Sequence, residues 1–179
     1  MNFLEVKIQK IGFVLILMIL GVVASLNYWA SASSDYVKII DGDSLEIGTR
    51  RIRLQGIDAP EYVQYCFNAD KNKYRCGLRS KDYLEKMIKQ AHYHINCKVV
   101  GRDRYHRELS ECFANGRNLN LEMIKSGWAV AYRSDDSSYQ QAEKYAKSAK
   151  KGVWKGKFMR PEYFRRLQRE EKQEKWHKS

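Results

Sequence analysis

The chain has 179 residues, a net charge of +12 and a 44% share of hydrophobic residues. Once an apolar N-terminal segment is set aside, that length holds one domain with a real core rather than two, and no repeat or low-complexity block divides it. A positive excess of this size is the footprint of a nucleic-acid partner, although basic exported proteins that bind none carry it too.

At the N-terminus, Lys7 and Lys10 precede an apolar run from Ile11 to Ala24, and Ala30-Ser31-Ala32 follows. A positive start, a short apolar core and an Ala-x-Ala site make residues 1–32 read as a signal peptide cleaved after Ala32. The run falls short of the ~20 apolar residues of a spanning helix, but extending it to Trp29 leaves an uncleaved membrane anchor open. The chain is therefore expected outside the cytosol, periplasmic or secreted, or anchored to the membrane by this segment. Export makes the four cysteines legible, because disulfides persist in oxidising compartments. Cys66, Cys76, Cys97 and Cys112 allow three pairings. Cys66–Cys76, closing a polar loop, and Cys97–Cys112, joining two adjacent strands, are favoured over the others. Their spacing lacks the cadence of a zinc site.

After the leader, Tyr36 to Ile40 reads as a short strand broken by Asp41-Gly42. Leu45 and Ile47 alternate with polar residues, Gly48-Thr49 turns, and Ile52 and Leu54 alternate with Arg51 and Arg53, which predicts a hairpin with one buried face. Leu84, Met87, Ile88 and Ala91 share a helical face. Strands are expected from Tyr93 to Val100 and from about Glu108 to Ala114, the second ending at the turn Asn115-Gly116. A short helix over Leu119–Lys125 stops at Gly127, and a longer one is capped by Ser137 or Ser138, with Ala142, Tyr145, Ala146 and Ala149 inward. About five short strands and about three helices fit a mainly β, α+β fold, a five-stranded Greek-key barrel of the oligonucleotide-binding (OB) type over residues 33–160. Residues 161–179 are read as a charged C-terminal tail, frayed helix or disordered.

The stretch from Ile39 to Glu61 carries chemistry. Asp43, Asp58 and Glu61 fall at turns or strand ends, with Arg53 on the strand between them. If Ile52 and Leu54 point inward, Arg53 must point out of the core, toward whatever those carboxylates hold. Carboxylates hold a hard cation and an arginine beside them holds an anion, the pair of tools a phosphodiester requires. A second charged run, Gly101 to Arg107, connects the two later strands and ends with Arg107 at the start of the second.

Together these runs resemble the staphylococcal nuclease-like (thermonuclease) family from Tyr36 to Trp154. The resemblance rests on D-G-D-S at 41–44, R-L at 53–54, I-D-A-P-E at 57–61, D-R-Y-H-R at 103–107, G-W-A-V-A-Y at 127–132 and the ending from Ala142 to Trp154. It implies an OB-fold nuclease that cleaves DNA and RNA with Ca²⁺ and little sequence specificity. By position, Asp43 and Asp58 would be carboxylate ligands of calcium and the Ala59 carbonyl a third. Glu61 would position or deprotonate the attacking water, and Arg53 and Arg107 would bind the scissile phosphate. Arg104, Tyr105 and Tyr132 fall where members contact the nucleotide or its terminal phosphate. The four cysteines are similar to those of exported bacterial members with paired cysteines, and a monomer is expected. A non-catalytic nucleic-acid-binding OB-fold module is the alternative; retention of Asp43, Asp58, Glu61, Arg53 and Arg107 argues against it. His106 stands where most members have glycine, and a positive φ there would cost about 1 kcal/mol.

Overall fold

A computed structural model describes residues 36–178, which lie within one compact unit, Tyr36–Ser179. The expected signal or anchor segment, residues 1–32, is outside the described residues. No helix among the described residues is long and apolar enough to cross a membrane.

Strands β1 (Val37–Ile39), β2 (Ser44–Ile47) and β3 (Arg50–Leu54) are antiparallel neighbours. Leu45, Ile47, Ile52 and Leu54 are buried, as alternation predicts for a hairpin with one face on the core. β4 (Ile57–Asp58) pairs with β10 (Val130–Ala131), and β5 (Cys66–Phe67) with β6 (Lys73–Tyr74). Helix α1 (Cys76–Gln90) precedes the long antiparallel pair β7 (Ile95–Arg102) and β8 (Glu108–Ala114). β9 (Arg117–Asn118), α2 (Leu119–Lys125), α3 (Ser137–Ser148), a 3₁₀ turn over Gly152–Lys155 and α4 (Pro161–His177) complete the described chain.

The main sheet runs β1-β2-β3-β8-β7, with β9 added to β8. Five strands in this path form an OB-fold-like core, and with the four α-helices among the described residues the protein is α+β. The one parallel join is between β3 and β8, which sets Arg53 level with Leu109. It carries the residues just before β8 to the flank of the first hairpin. The core behind the sheet is built from Leu45, Ile52, Leu54, Leu84, Ile88, Leu119 and Ile124.

Three expectations differ from the structure, and of the two alternatives for the tail, frayed helix or disorder, the helix is found. β7 begins at Ile95, because His92 and Tyr93 have φ of 49° and 61° and turn the chain first. The strand expected to reach Val100 runs on to Arg102 through a bulge between Val99 and Gly101, where Val99 and Val100 are both exposed. α3 is capped by Asp136, whose carboxylate accepts from the Ser138 amide at 2.8 Å; Tyr139, Ala142 and Ala146 face inward, while Tyr145 and Ala149 are exposed. The charged segment after residue 160 is helical, and Pro161 starts it where a missing N–H costs nothing.

Both favoured disulfides are present. Cys97 and Cys112 are directly opposed in the β7–β8 register, and Cys66–Cys76 ties β5 to the first residue of α1. At that junction a Cβ on Gly77 would lie 1.7 Å from the Glu61 carbonyl oxygen, so only glycine lets α1 press against the Glu61 loop. Gly77→Ala is therefore expected to destabilise the protein by about 1–3 kcal/mol, the usual scale of overpacking. Gly116→Ala, at φ of 71° with no atom within 4 Å of its Cβ, should cost only about 1 kcal/mol of backbone strain. Chemical denaturation of the two variants against the parent checks the order.

Candidate active site

The turn between β1 and β2 holds Asp43. Its amide donates to Asp41 Oδ1 at 2.9 Å, which fixes the turn, and its carboxylate accepts from Ser44 Oγ at 3.0 Å and from the Ala59 amide at 2.7 Å. The side chain is almost out of water, at 4% exposure. Burial pushes the Asp43 carboxyl up to about 6, with Asp41 adding to the rise, against Arg53 and the Ala59 amide.

Arg53 leaves β3 on the face away from the core and closes on the carboxylates themselves. One terminal nitrogen is in close contact with Asp43 Oδ1; the other donates to Asp58 Oδ1 at 3.0 Å and to the Ile57 carbonyl at 3.3 Å. Burial works against its charge, but Asp43 and Asp58 outweigh that and hold it above its ordinary value.

A second guanidinium, Arg165 from α4, reaches the same place. It forks onto Asp58, Nη1 to Oδ1 at 2.7 Å and Nη2 to Oδ2 at 3.0 Å, and Nη1 also donates to Glu61 Oε1 at 2.8 Å. Glu61 is positioned from below by Gln64, whose backbone donates to the Glu61 carbonyl at 2.7 Å and whose side-chain oxygen accepts from the Glu61 amide at 3.2 Å. The same buried amide donates to the Met159 carbonyl at 2.7 Å, so the Glu61 loop and the root of α4 are tied through one side chain.

The β7–β8 connection brings the second cluster in. Asp103 holds Arg107 at both ends: Oδ1 accepts from the Arg107 amide at 3.0 Å, and Oδ2 from Nε at 2.8 Å. Arg107 Nη1 then lies 3.4 Å from Ser44 Oγ, beside Asp43. Tyr105 is 55% exposed, donates its amide to Asp103 and lies with its ring under Arg104 at 4.9 Å. Tyr132 leaves β10 and places its hydroxyl 3.5 Å from Glu162 at the start of α4. His106 has φ of 61°, the left-handed conformation that the glycine position requires.

Asp43, Asp58 and Glu61 thus gather around two arginines, Arg53 and Arg165, with Arg107 arriving through Ser44. Arg165, Asp103 and Gln64 were not among the residues singled out by sequence. A capping Asp three residues before a tight-turn His was a readable signal for Asp103; nothing in the run from Arg165 onward marked one arginine from its neighbours. Among the described residues no three His, Cys, Asp or Glu side chains converge into a metal-binding group. Asp43 and Asp58 are buried oxygen donors of the kind a hard cation such as Ca²⁺ takes.

The structure is thus an OB-fold-like α+β domain that gathers buried carboxylates and arginines beside its first hairpin. The family described as staphylococcal nuclease homologue matches residues 51–156, and the chain belongs to that family. Among its relatives, "Succinoglycan biosynthesis protein ExoI" of Rhizobium meliloti is 39% identical over 119 residues, 65% of this chain and 62% of that protein. An "Uncharacterized endonuclease" of Haemophilus influenzae is 37% identical, covering 66% of this chain and 64% of its own length. A "Micrococcal nuclease" of Shigella flexneri is 30% identical, covering 74% and 79%. The chain thus spans less than two thirds of the first two proteins.

The Asp103–Arg107 pair gives a pH test. Burial raises the Asp103 carboxyl, but the Arg107 and Tyr105 amides and the Arg107 guanidinium outweigh it and hold the group below its ordinary value. A folded-state value below the unfolded one contributes stability above the unfolded pKa of about 3.9 that is lost as pH falls through the folded value. Asp103→Asn is therefore expected to lower the melting temperature at pH 7, with the gap to the parent closing in acid below about pH 3.9. His106→Val should also lower it, because a β-branched residue resists positive φ, while His106→Gly should not. Thermal melts at several pH values check all three variants.

Proposed function

We propose that this chain is a Ca²⁺-dependent nuclease that hydrolyses phosphodiester bonds of DNA and RNA with little sequence specificity. The observation that carries this reading is the arrival of Arg107 at Ser44, across 63 residues, beside a carboxylate pair already braced by Arg53. Anion-binding groups and oxygen donors then lie together beside the β3–β8 join.

Asp43, Asp58 and the Ala59 carbonyl would hold the cation, which supplies Lewis-acid polarisation of a phosphate oxygen. Arg107 takes the scissile phosphate with Nη1, which it presents toward Ser44, while Asp103 holds its Nε and Nη2. Arg53 contributes a second guanidinium, and the two meet the equatorial oxygens where charge builds in the five-coordinate transition state. Glu61 accepts a proton from the attacking water. Arg104, Tyr105 and Tyr132 hold the nucleotide on either side, the tyrosines offering faces on which any base stacks.

In this reading residues 1–32 export the chain, which acts as a monomer in the periplasm or outside the cell through a domain over 33–160. It meets the membrane only where the N-terminal segment is retained. The two disulfides are consistent with an oxidising compartment.

The decisive experiment incubates the purified protein with DNA and with RNA in Ca²⁺ or chelator. Calcium-dependent degradation is expected. Intact nucleic acid held in a salt-sensitive complex would instead support a non-catalytic OB-fold binding module. Arg53→Lys and Arg107→Lys should each lower turnover by about 10²–10³-fold, because lysine keeps the charge and loses the fork. Near-parental rates for both would remove the arginines from the mechanism.

A further inference from the structure

Asp58 is 1% exposed, and both of its oxygens are taken by Arg165. Oδ1 also accepts from Arg53 at 3.0 Å, so two guanidinium groups converge on one carboxylate oxygen. The two like charges oppose each other, and Arg165 lowers the hold on the Arg53 proton. One arginine belongs to the hairpin and is nearly enclosed, at 14% exposure. The other comes from a helix 107 residues away and is 28% exposed.

The two differ also in what holds them. Arg53 is fixed by Asp43, Asp58 and the Ile57 carbonyl, on a strand in the middle of the sheet. Among the described side chains of α4, only Pro161 is buried. Its root is anchored without Arg165: Gln64 binds the Met159 carbonyl at 2.7 Å, and Arg160 binds the Ala131 carbonyl at 3.2 Å. Arg165 can therefore let go of Asp58 by side-chain rotation while the helix stays in place.

Resting on the reading of Asp58 as a cation ligand, we propose that Arg165 is a displaceable counter-charge of the active site. Its guanidinium occupies the Asp58 oxygens that a divalent cation needs, so cation binding and the Asp58–Arg165 pair exclude one another. Arg165 neutralises the buried carboxylate while the cation is away and weakens cation binding by the fraction of molecules in which the pair is formed. With its Glu61 contact also given up, the released guanidinium frees the carboxylate that handles the water. The C-terminal helix is thus a positioning element of the site, and its arginine sets the calcium concentration at which the site assembles.

The test measures Ca²⁺ affinity by calorimetry on the full chain without nucleic acid, for the parent, Arg165→Ala, Arg165→Lys and Arg166→Ala. Arg165→Ala should bind Ca²⁺ at least about tenfold more tightly than the parent, the change expected when a pair formed in nine-tenths or more of the molecules is removed. Arg165→Lys, which cannot fork onto Asp58, should fall between them. Arg166→Ala, whose partner is Glu170 on the same helix, should match the parent. A second readout needs no variant: slowed rotation of the Arg165 guanidinium in NMR of the calcium-free protein, lost on titration with Ca²⁺. Equal affinity in the parent and Arg165→Ala, or a guanidinium unmoved by saturating Ca²⁺, overturns the proposal with Asp58 still a ligand. No Ca²⁺ binding by any of the four proteins overturns it by a different route, because the calcium reading beneath it then fails as well.

Discussion

Asp43 and Asp58 are carboxylates taken almost wholly out of water, and a buried carboxylate is tolerable only where positive charge and hydrogen-bond donors meet it. Arg53 supplies the charge to both, and the Ala59 amide and Ser44 hydroxyl supply donors to Asp43. Arg53 can do this because strand parity sends it off the core face while Ile52 and Leu54 anchor the strand on the other. The balance is incomplete. With the Asp43 carboxyl at about 6 in the fold against 3.8 as a free group, the folded chain binds that proton more tightly. The favourable contribution is full below about pH 3.8 and is lost as pH rises through about 6, so at neutral pH the fold carries ionised Asp43 as a cost.

Everything else that touches the site keeps these charges in register. The parallel join of β3 and β8 puts Arg107 beside the first hairpin, and the buried Asn120 secures that join by donating to the Gln55 and Ser110 carbonyls and accepting from the Cys112 amide. Cys112 is in turn bonded to Cys97, so the strand that delivers Arg107 is covalently tied to its neighbour. On the other side, Gly77 and the Cys66–Cys76 bond press the start of α1 onto the Glu61 loop, and Gln64 ties that loop to the residue before Arg160. Two disulfides and two buried amides thus frame one small constellation of charge.

The first hairpin was legible in the sequence because period-two alternation, a Gly-Thr turn and an Asp-Gly break all agree there. The family motifs carried the remaining named residues, and the positive φ of His106 followed from the glycine it replaces. Elsewhere local signals were misleading for physical reasons. Tyr93 and Val99 look like inward positions of one strand, but Tyr93 lies in the turn before β7 begins, and Val99 is exposed at the edge of the bulge that follows it. Tyr145 has the spacing of a core residue but packs outward with Lys151 4.6 Å from its ring centroid. Arg165 was invisible for a different reason. It lies in a stretch where most residues are charged and solvated, and its partners are 104 and 107 residues earlier. No periodicity or turn chemistry encodes an ion pair of that range; only the folded path of the chain does.

The contrast between the two arginines on Asp58 follows from how each was placed. Arg53 is bound to the sheet, so its release would disturb β3 and the carboxylate turn together; its charge is part of the fold. Arg165 is held by the carboxylates alone, on a helix whose root is secured by other residues. Removing one partner of a buried pair is expensive when nothing replaces it, and far less so when another cation takes the same oxygens. In the proposed reading the fold separates a permanent counter-charge, needed for the carboxylates to be buried at all, from an exchangeable one that keeps Asp58 paired while no cation is bound. A single arginine serving both ends would force the site either to collapse when the ion leaves or to refuse it when it comes.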